Sequence, residues 1–293
     1  MKLLVTGADG FTGQHLCSRA VKAGYEVVKL KADLLDREAL QSEVLLVQPD
    51  LVAHLAAISF VGSPDKISFY AVNVIGTTNL LDAILKLSKA PFKVLLASSA
   101  NVYGNCDILP IDENITPNPI NHYAVSKLAM EKMALTYSEK IPIVITRPFN
   151  YTGPGQDINF IIPKLVDHFL TKKPLISLGN IDVEREFNDV KMVCESYLAL
   201  LNYGESGEIY NICSGRAYSL QFVIDTLIKL TGHSIKIKVD PVFVRSNELK
   251  VLRGDSRKLD NLVAQYAGRL ENHSLGSTLS VMLNSGVNTS RKS

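Results

Sequence analysis

KLLVTGADGFTG, residues 2–13, runs from an apolar stretch into three glycines and out into helix-forming residues. Leu3, Leu4 and Val5 are consecutive apolar residues, the pattern of a strand covered on both faces. Gly7, Gly10 and Gly13 follow as G-x-x-G-x-x-G rather than G-x-G-x-x-G. Gly7 permits the tight turn, Gly10 lets the backbone approach a pyrophosphate, and Gly13 lets the helix pack against the strand. Phosphate oxygens would sit on the free N–H groups at the helix start. The stretch predicts the first strand–turn–helix unit of a dinucleotide-binding fold, with Asp9, Phe11 and Thr12 among the cofactor-contacting residues.

Working outward, apolar runs alternate with helical patterns. Strands are predicted at 3–5, 27–30, 50–56, 92–97 and 141–146, and helices at 13–23, 70–89 and 121–139. Such alternation implies a parallel sheet with helices on both faces and ligands at the carboxyl ends of its strands. Gly7, Ser99 and Arg147 are all expected just beyond such ends. After Asn150 the character changes to loop-like TGPGQ and NFIIPK, followed by mixed short elements.

The chemistry is concentrated in SSANVYG (98–104) and NHYAVSK (121–127). Tyr123 and Lys127 are i and i+4 on one helix face, so phenol and ammonium can meet. A neighbouring cation favours the phenolate, so Lys127 is expected to lower the Tyr123 pKa. Tyr123 could then exchange a proton with a sugar oxygen that the Ser99 hydroxyl also binds. Ser99, Tyr123 and Lys127 are the candidate catalytic residues.

Together with HLAA (54–57), NVIGTTNLL (73–81) and RPFNYTGPGQ (147–156), these segments resemble the extended short-chain dehydrogenase/reductase family of nucleotide-sugar epimerases, dehydratases and reductases. The resemblance runs from residue 1 to about residue 260; beyond it an expected Gly-Trp is missing, and the chain holds no Trp. It implies an α/β fold: a Rossmann-type doubly wound parallel sheet with a smaller C-terminal α+β substrate domain. On that basis residues 1–150 form the dinucleotide-binding domain, with 185–215 returning to it. Residues 151–184 and 216–293 form the substrate-binding domain. Leu55, Ala56 and Ala57 would line the cofactor, Asn73 would brace its domain, and Lys127 would hydrogen-bond the nicotinamide ribose. Helices carrying Asn73 and Tyr123 would form a homodimer interface, to which Leu128 and Met133 could contribute.

The end of the second strand bears on the coenzyme. Lys31, with Lys29 before it, stands where the family places an acid that selects NAD. A cation there can pair with a 2′-phosphate, so NADP(H) is favoured and NAD(H) is the alternative. Asp33 lies about 20 residues past the last glycine, the general spacing of a ribose-binding acid. DLLD (33–36), including Leu34, instead matches the adenine-contacting segment.

The reaction follows from what surrounds the trio. Dehydratases of the family carry carboxylates after the catalytic hydroxyl residue, and here Ala100 and Asn101 occupy those places. The segments at 147–156, 178–190, 210–220 and 244–259 look most like GDP-4-keto-6-deoxy-mannose reductases. The expected activity is NAD(P)H-dependent reduction of the C4 keto group of a GDP-4-keto-6-deoxy sugar, of the GDP-rhamnose type. The alternatives are a 4-epimerase with tightly bound NAD, then a GDP-mannose 4,6-dehydratase. A catalytically silent dinucleotide-binding regulator is disfavoured because the trio is intact. By the same match Arg245 would bind the diphosphate and Glu248 the nucleoside ribose, with Arg185 a second contact at the nucleotide end. Asn150 and Asn159 would hydrogen-bond the sugar nucleotide. His54 reads as a packed strand histidine rather than a catalyst, and His122 has no assigned role.

Composition narrows the remaining classes. In 293 residues, hydrophobic types make up 46% and charged types 20%, as in a globular protein. The formal charge is +2 with no basic stripe, so nucleic acid is not an expected partner. Four scattered cysteines form no C-x-x-C pair, which argues against a metal centre or disulfide framework and for a reducing compartment. The chain enters its first strand at once, and no apolar run approaches the roughly 18 residues of a membrane span. Cytoplasmic placement is the expectation.

Overall fold

A computed structural model describes residues 1–61, 64–181, 183–241, 250–266, 268, 270 and 273–286. Its elements run β1 (Lys2–Thr6), α1 (Phe11–Lys22), β2 (Glu26–Lys29), α2 (Arg37–Val47), β3 (Leu51–His54) and α3 (Lys66–Tyr70). A π-helical turn (Ala71–Gly76) leads into α4 (Thr77–Ile84) and β4 (Lys93–Ala97). A 3-10 turn (Ala100–Tyr103) precedes α5 (His122–Leu135), β5 (Ile143–Pro148) and β6 (Tyr151–Thr152). Then come α6 (Ile161–Leu170), β7 (Leu175–Leu178), β8 (Glu184–Glu186), β9 (Asn188–Asp189) and α7 (Val190–Tyr203). The chain continues with β10 (Ile209–Ile212), β11 (Ala217–Ser219), α8 (Leu220–Thr231) and β12 (Lys236–Val239). It closes with β13 (Val251–Leu252), α9 (Arg257–Tyr266) and α10 (Leu275–Ser285).

Six parallel strands form the central sheet in the order β10-β5-β4-β3-β1-β2. Successive side chains of a strand point to opposite faces, and both faces are apolar here. Leu3, Val5, Leu51, Ala53 and Leu95 face a core shared with α1, α7 and α9. Leu4, Val52, Val94, Leu96, Ile143 and Ile145 face a second core shared with α2, α4 and α5. Continuous apolar runs form strands here because helices cover both sides. The sheet is Rossmann-like, and its order reverses between β1 and β3, which opens a crevice at their carboxyl ends.

A third apolar cluster gathers α6, α8 and α10 over β7 and β12. Smaller sheets of order β11-β8-β13, β12-β7 and β6-β9 lie outside the central one. Among the described residues no helix is long and apolar enough to cross a membrane.

Three elements differ from the sequence expectation. Residues 70–89 are not one helix: α3, the π turn and α4 share that stretch, and α4 ends at Ile84. Asn73, in the π turn, exchanges hydrogen bonds with Ile58, accepting from its N–H at 2.9 Å, and donates to Ser126 Oγ at 3.0 Å. Those tertiary bonds fall within the widened turn. Arg147 does not lie beyond a strand end: β5 continues through Pro148 because β10 pairs with it, Asn211 opposite Arg147. Finally α2 fills 37–47, where no helix was anticipated, capped by the Asp36 side chain.

Candidate active site

The glycine loop leaves β1 at its carboxyl end. Gly7 has φ +66, and a Cβ there would meet the Ala56 backbone N at 2.7 Å, so β3 can approach the loop only over glycine. At Gly13 a Cβ would stand 2.6 Å from Ala8 Cα and closer still to the Gly7 carbonyl. The start of α1 has no side-chain cap and no acid in its first turn. Its orphan N–H groups and positive dipole end suit a pyrophosphate, so the loop fits the dinucleotide its sequence implies.

Phe11 and Thr12 look elsewhere. Phe11 stacks on Tyr151 with ring centroids 6.0 Å apart, and Thr12 Oγ1 shares a 2.7 Å hydrogen bond with the Tyr151 hydroxyl. Tyr151 is half-buried, its phenol raised by desolvation, and Tyr123 is among the groups that perturb it. It therefore joins the loop to the trio. Tyr151 has no signal of a role within RPFNYTGPGQ, and only the fold brings it to Thr12.

A hydrogen-bond chain crosses from the loop to the helix that carries Tyr123. Leu55 N–H and Ala56 N–H donate to Thr6 Oγ1 at 3.2 and 3.1 Å. Thr6 Oγ1 is 2.7 Å from His54 Nδ1, and His54 Nε2 is 2.9 Å from Thr77 Oγ1. Thr77 already donates its proton to the Asn73 carbonyl at 2.7 Å, which assigns the Nε2–H tautomer to His54. Burial and the nearby Lys127 push the His54 pKa down to about 3, so it stays neutral. Ser126 completes the chain by donating to the Tyr123 carbonyl at 2.8 Å.

The structure brings Ser99, Tyr123 and Lys127 together past β4. Ser99 caps the 3-10 turn by accepting from Asn101 N–H at 3.2 Å, and its hydroxyl lies beside the Tyr123 phenol and opposes the effect of burial on it. Asn121 caps α5 and so sets Tyr123 in the first turn. Lys127 Nζ donates to the Ala97 carbonyl at 2.7 Å. Here the expected electrostatics are corrected. Burial holds the Tyr123 phenol above its ordinary value, with Ser99 working against it, while the Lys127 ammonium is turned to a carbonyl. Burial lowers Lys127 itself to about 8, opposed by Glu131.

The remaining predicted residues scatter. Lys29 pairs with Asp9 at 2.9 Å, and the exposed Lys31 gives its backbone N–H to Glu43. Asp33 accepts from Leu35 N–H in a local turn. Leu34 is buried in the core beside Gly76. Leu55 packs on the first core and Ala56 on the second, while Ala57 is half-buried after β3. Asn150, exposed at the end of β5, holds Asn188 N–H through its carbonyl. Asn159 lies in the turn before α6, its N–H bound to Asp157. Arg185, on β8, donates to the Glu184 carbonyl at 2.8 Å. Arg245 and Glu248 lie outside the described residues. Leu128 and Met133, both half-buried, pack against internal clusters.

Comparison with known proteins agrees with this architecture. The profile of the NAD dependent epimerase/dehydratase family matches residues 3–213. GDP-6-deoxy-D-talose 4-dehydrogenase of Aggregatibacter actinomycetemcomitans is 38% identical over 268 residues, 90% of this chain and 91% of that one. GDP-6-deoxy-D-mannose reductase of Pseudomonas aeruginosa is 36% identical over 273 residues, 88% and 89% of the two chains. The solved structure of RMD from Pseudomonas aeruginosa complexed with NADPH superposes with a TM-score of 0.88 at 32% identity, over 97% of this chain and 98% of that one. The chain belongs to the NAD dependent epimerase/dehydratase family.

Proposed function

We propose that this oxidoreductase reduces the C4 keto group of a GDP-linked 4-keto-6-deoxyhexose, with NADPH as the favoured coenzyme. The observation that carries the reading is the Ser99 hydroxyl placed beside the Tyr123 phenol at the end of β4, followed by a turn with Ala100 and Asn101 and no carboxylate. A keto reduction needs one proton donor and one donor to the developing oxyanion. Water elimination needs a further acid and base, which this turn does not offer.

Held on the Gly7–Gly13 loop, a dinucleotide would supply the hydride. Tyr123 gives its proton to the sugar oxygen, and burial, which keeps the phenol protonated at neutral pH, suits it to act as the acid. Ser99 Oγ donates to the same oxygen. Lys127, charged below about pH 8 and anchored on the Ala97 carbonyl, would hydrogen-bond the nicotinamide ribose, as the family resemblance implies. Lys31, exposed just past the end of β2, is a cation that could pair with a 2′-phosphate, while Lys29 is held by Asp9. The relatives named for GDP-6-deoxy sugars and the neighbour complexed with NADPH support both choices.

The test is oxidation of NADPH and NADH at 340 nm with GDP-4-keto-6-deoxy-mannose generated in place. Oxidation with NADPH faster than with NADH is expected. No oxidation by either, with NAD retained through purification, would replace the reading by epimerisation. The sugars in the two relatives' names differ in configuration at C4. The proton spectrum of the product reads which face receives the hydride.

A further inference from the structure

Beneath the trio lies a buried ion pair that the proposed chemistry leaves unused. Arg147 and Glu131 side chains are 2% and 1% exposed. The guanidinium forks the carboxylate, Nε to Oε1 at 3.0 Å and Nη2 to Oε2 at 2.6 Å. Taking two charges out of water costs several kcal/mol per ion, and apolar side chains of similar volume often serve stability as well or better. A pair retained here calls for a reason beyond stability.

Its surroundings supply one. Glu131 stands one helical turn after Lys127 on α5, so both reach the end of β4. Lys127 holds the Ala97 carbonyl, and the Ser98 hydroxyl donates to Glu131 Oε1. The Arg147 guanidinium lies 4.8 Å from the centre of the Tyr103 ring, and the Tyr103 hydroxyl donates to Asn211 at 2.8 Å. Residues 97–103 thus form a strap that carries Ser99, fastened by α5 on one side and by β5 and β10 on the other.

We infer that Glu131, backed by Arg147, is a positioning residue for the reduction: it anchors Ser98 so that the Ser99 hydroxyl meets Tyr123, and it stands one helical turn from Lys127 as the counter-charge of that ammonium. This rests on the function proposed above and deepens it. The groups around Lys127 are few. Tyr123 and Glu131 share its helix, neutral His54 faces it from β3, and Arg147 reaches it from β5 through Glu131. Glu131 raises the Lys127 pKa against burial, while Arg147 compensates the carboxylate.

Two variants test it. Ser98→Ala removes the strap's anchor and leaves the ion pair whole. It should melt cooperatively and bind NADPH within twofold of the wild type, with kcat reduced about tenfold. A kcat within twofold of the wild type overturns the positioning claim. Glu131→Gln with Arg147→Gln removes both charges without stranding either. The alkaline limb of its kcat profile should move down by about one pH unit, since Lys127 then loses its proton more readily. An unmoved limb overturns the electrostatic half; should this variant fail to fold, Glu131→Gln alone carries the same profile. Wild-type turnover measured alongside separates the two readings. If the wild type itself leaves the 4-keto sugar unreduced, the function fails, and a 15N titration of the Lys127 ammonium in wild type and variant still decides the inference.

Discussion

Two residues near the site carry predictions of opposite kinds. In the proposed reaction Tyr123 is the proton donor, so Tyr123→Phe would remove the acid and leave the glycine loop untouched. Turnover should fall about 100-fold or more with NADPH affinity nearly unchanged, read by stopped-flow and fluorescence titration. Turnover close to the wild type would assign the proton to another group. His54 acts on stability instead. Its pKa is about 3 in the fold against 6.5 as a free side chain, so between those values the unfolded chain binds the extra proton. Stability from this residue is complete above pH 6.5 and drains as pH falls towards 3. Between pH 6.5 and 4.5 the loss is about 2–3 kcal/mol. Urea melts of the wild type and His54→Gln should therefore converge as pH falls, and a gap that stays constant would show that His54 does not titrate on unfolding.

At the scale of elements, the strand–glycine–helix unit was legible because its chemistry is local: three glycines and an apolar run decide it without distant partners. Gly13 makes this testable. A Cβ there collides with the Gly7 carbonyl and with Ala8, both backbone, so the loop must move rather than a side chain. Gly13→Ala should weaken NADPH binding at least tenfold and cost roughly 1–3 kcal/mol of stability. Unchanged coenzyme affinity would mean the dinucleotide does not rest on this loop. The trio's helix was equally readable, since i and i+4 spacing is a property of one element. What escaped was non-local. The π turn answers to Ile58 and Ser126, Tyr151 finds Thr12 across 139 residues, and Arg147 is claimed by β10 and Glu131. No pattern within a window of sequence reports such partners. The Lys127 expectation failed for a related reason: spacing says that two groups share a face, not which neighbour each will choose.

Across the whole molecule, the stretch where family likeness fades still has a structural task. Leu275, Leu279 and Met282 of α10 complete the third apolar cluster. Thr278 of the same helix donates to Asp189 Oδ2 at 2.7 Å, while Asp189 Oδ1 caps α7 through Lys191 N–H, also at 2.7 Å. Because α7 covers one face of the central sheet, this one carboxylate ties the outer cluster to the cofactor-binding core. Thr278→Val keeps the shape of the side chain and removes the donor, leaving a buried carboxylate oxygen short of a partner. The cost should be about 1–3 kcal/mol. If the two clusters melt as one unit, calorimetry will show a single transition displaced downward by a few degrees. If they are independent, the variant will split the melt, with the outer cluster unfolding first and NADPH binding surviving it. The single transition is the expected result, because the shared carboxylate and the returning β10 strand bind the two parts at separate points of the chain.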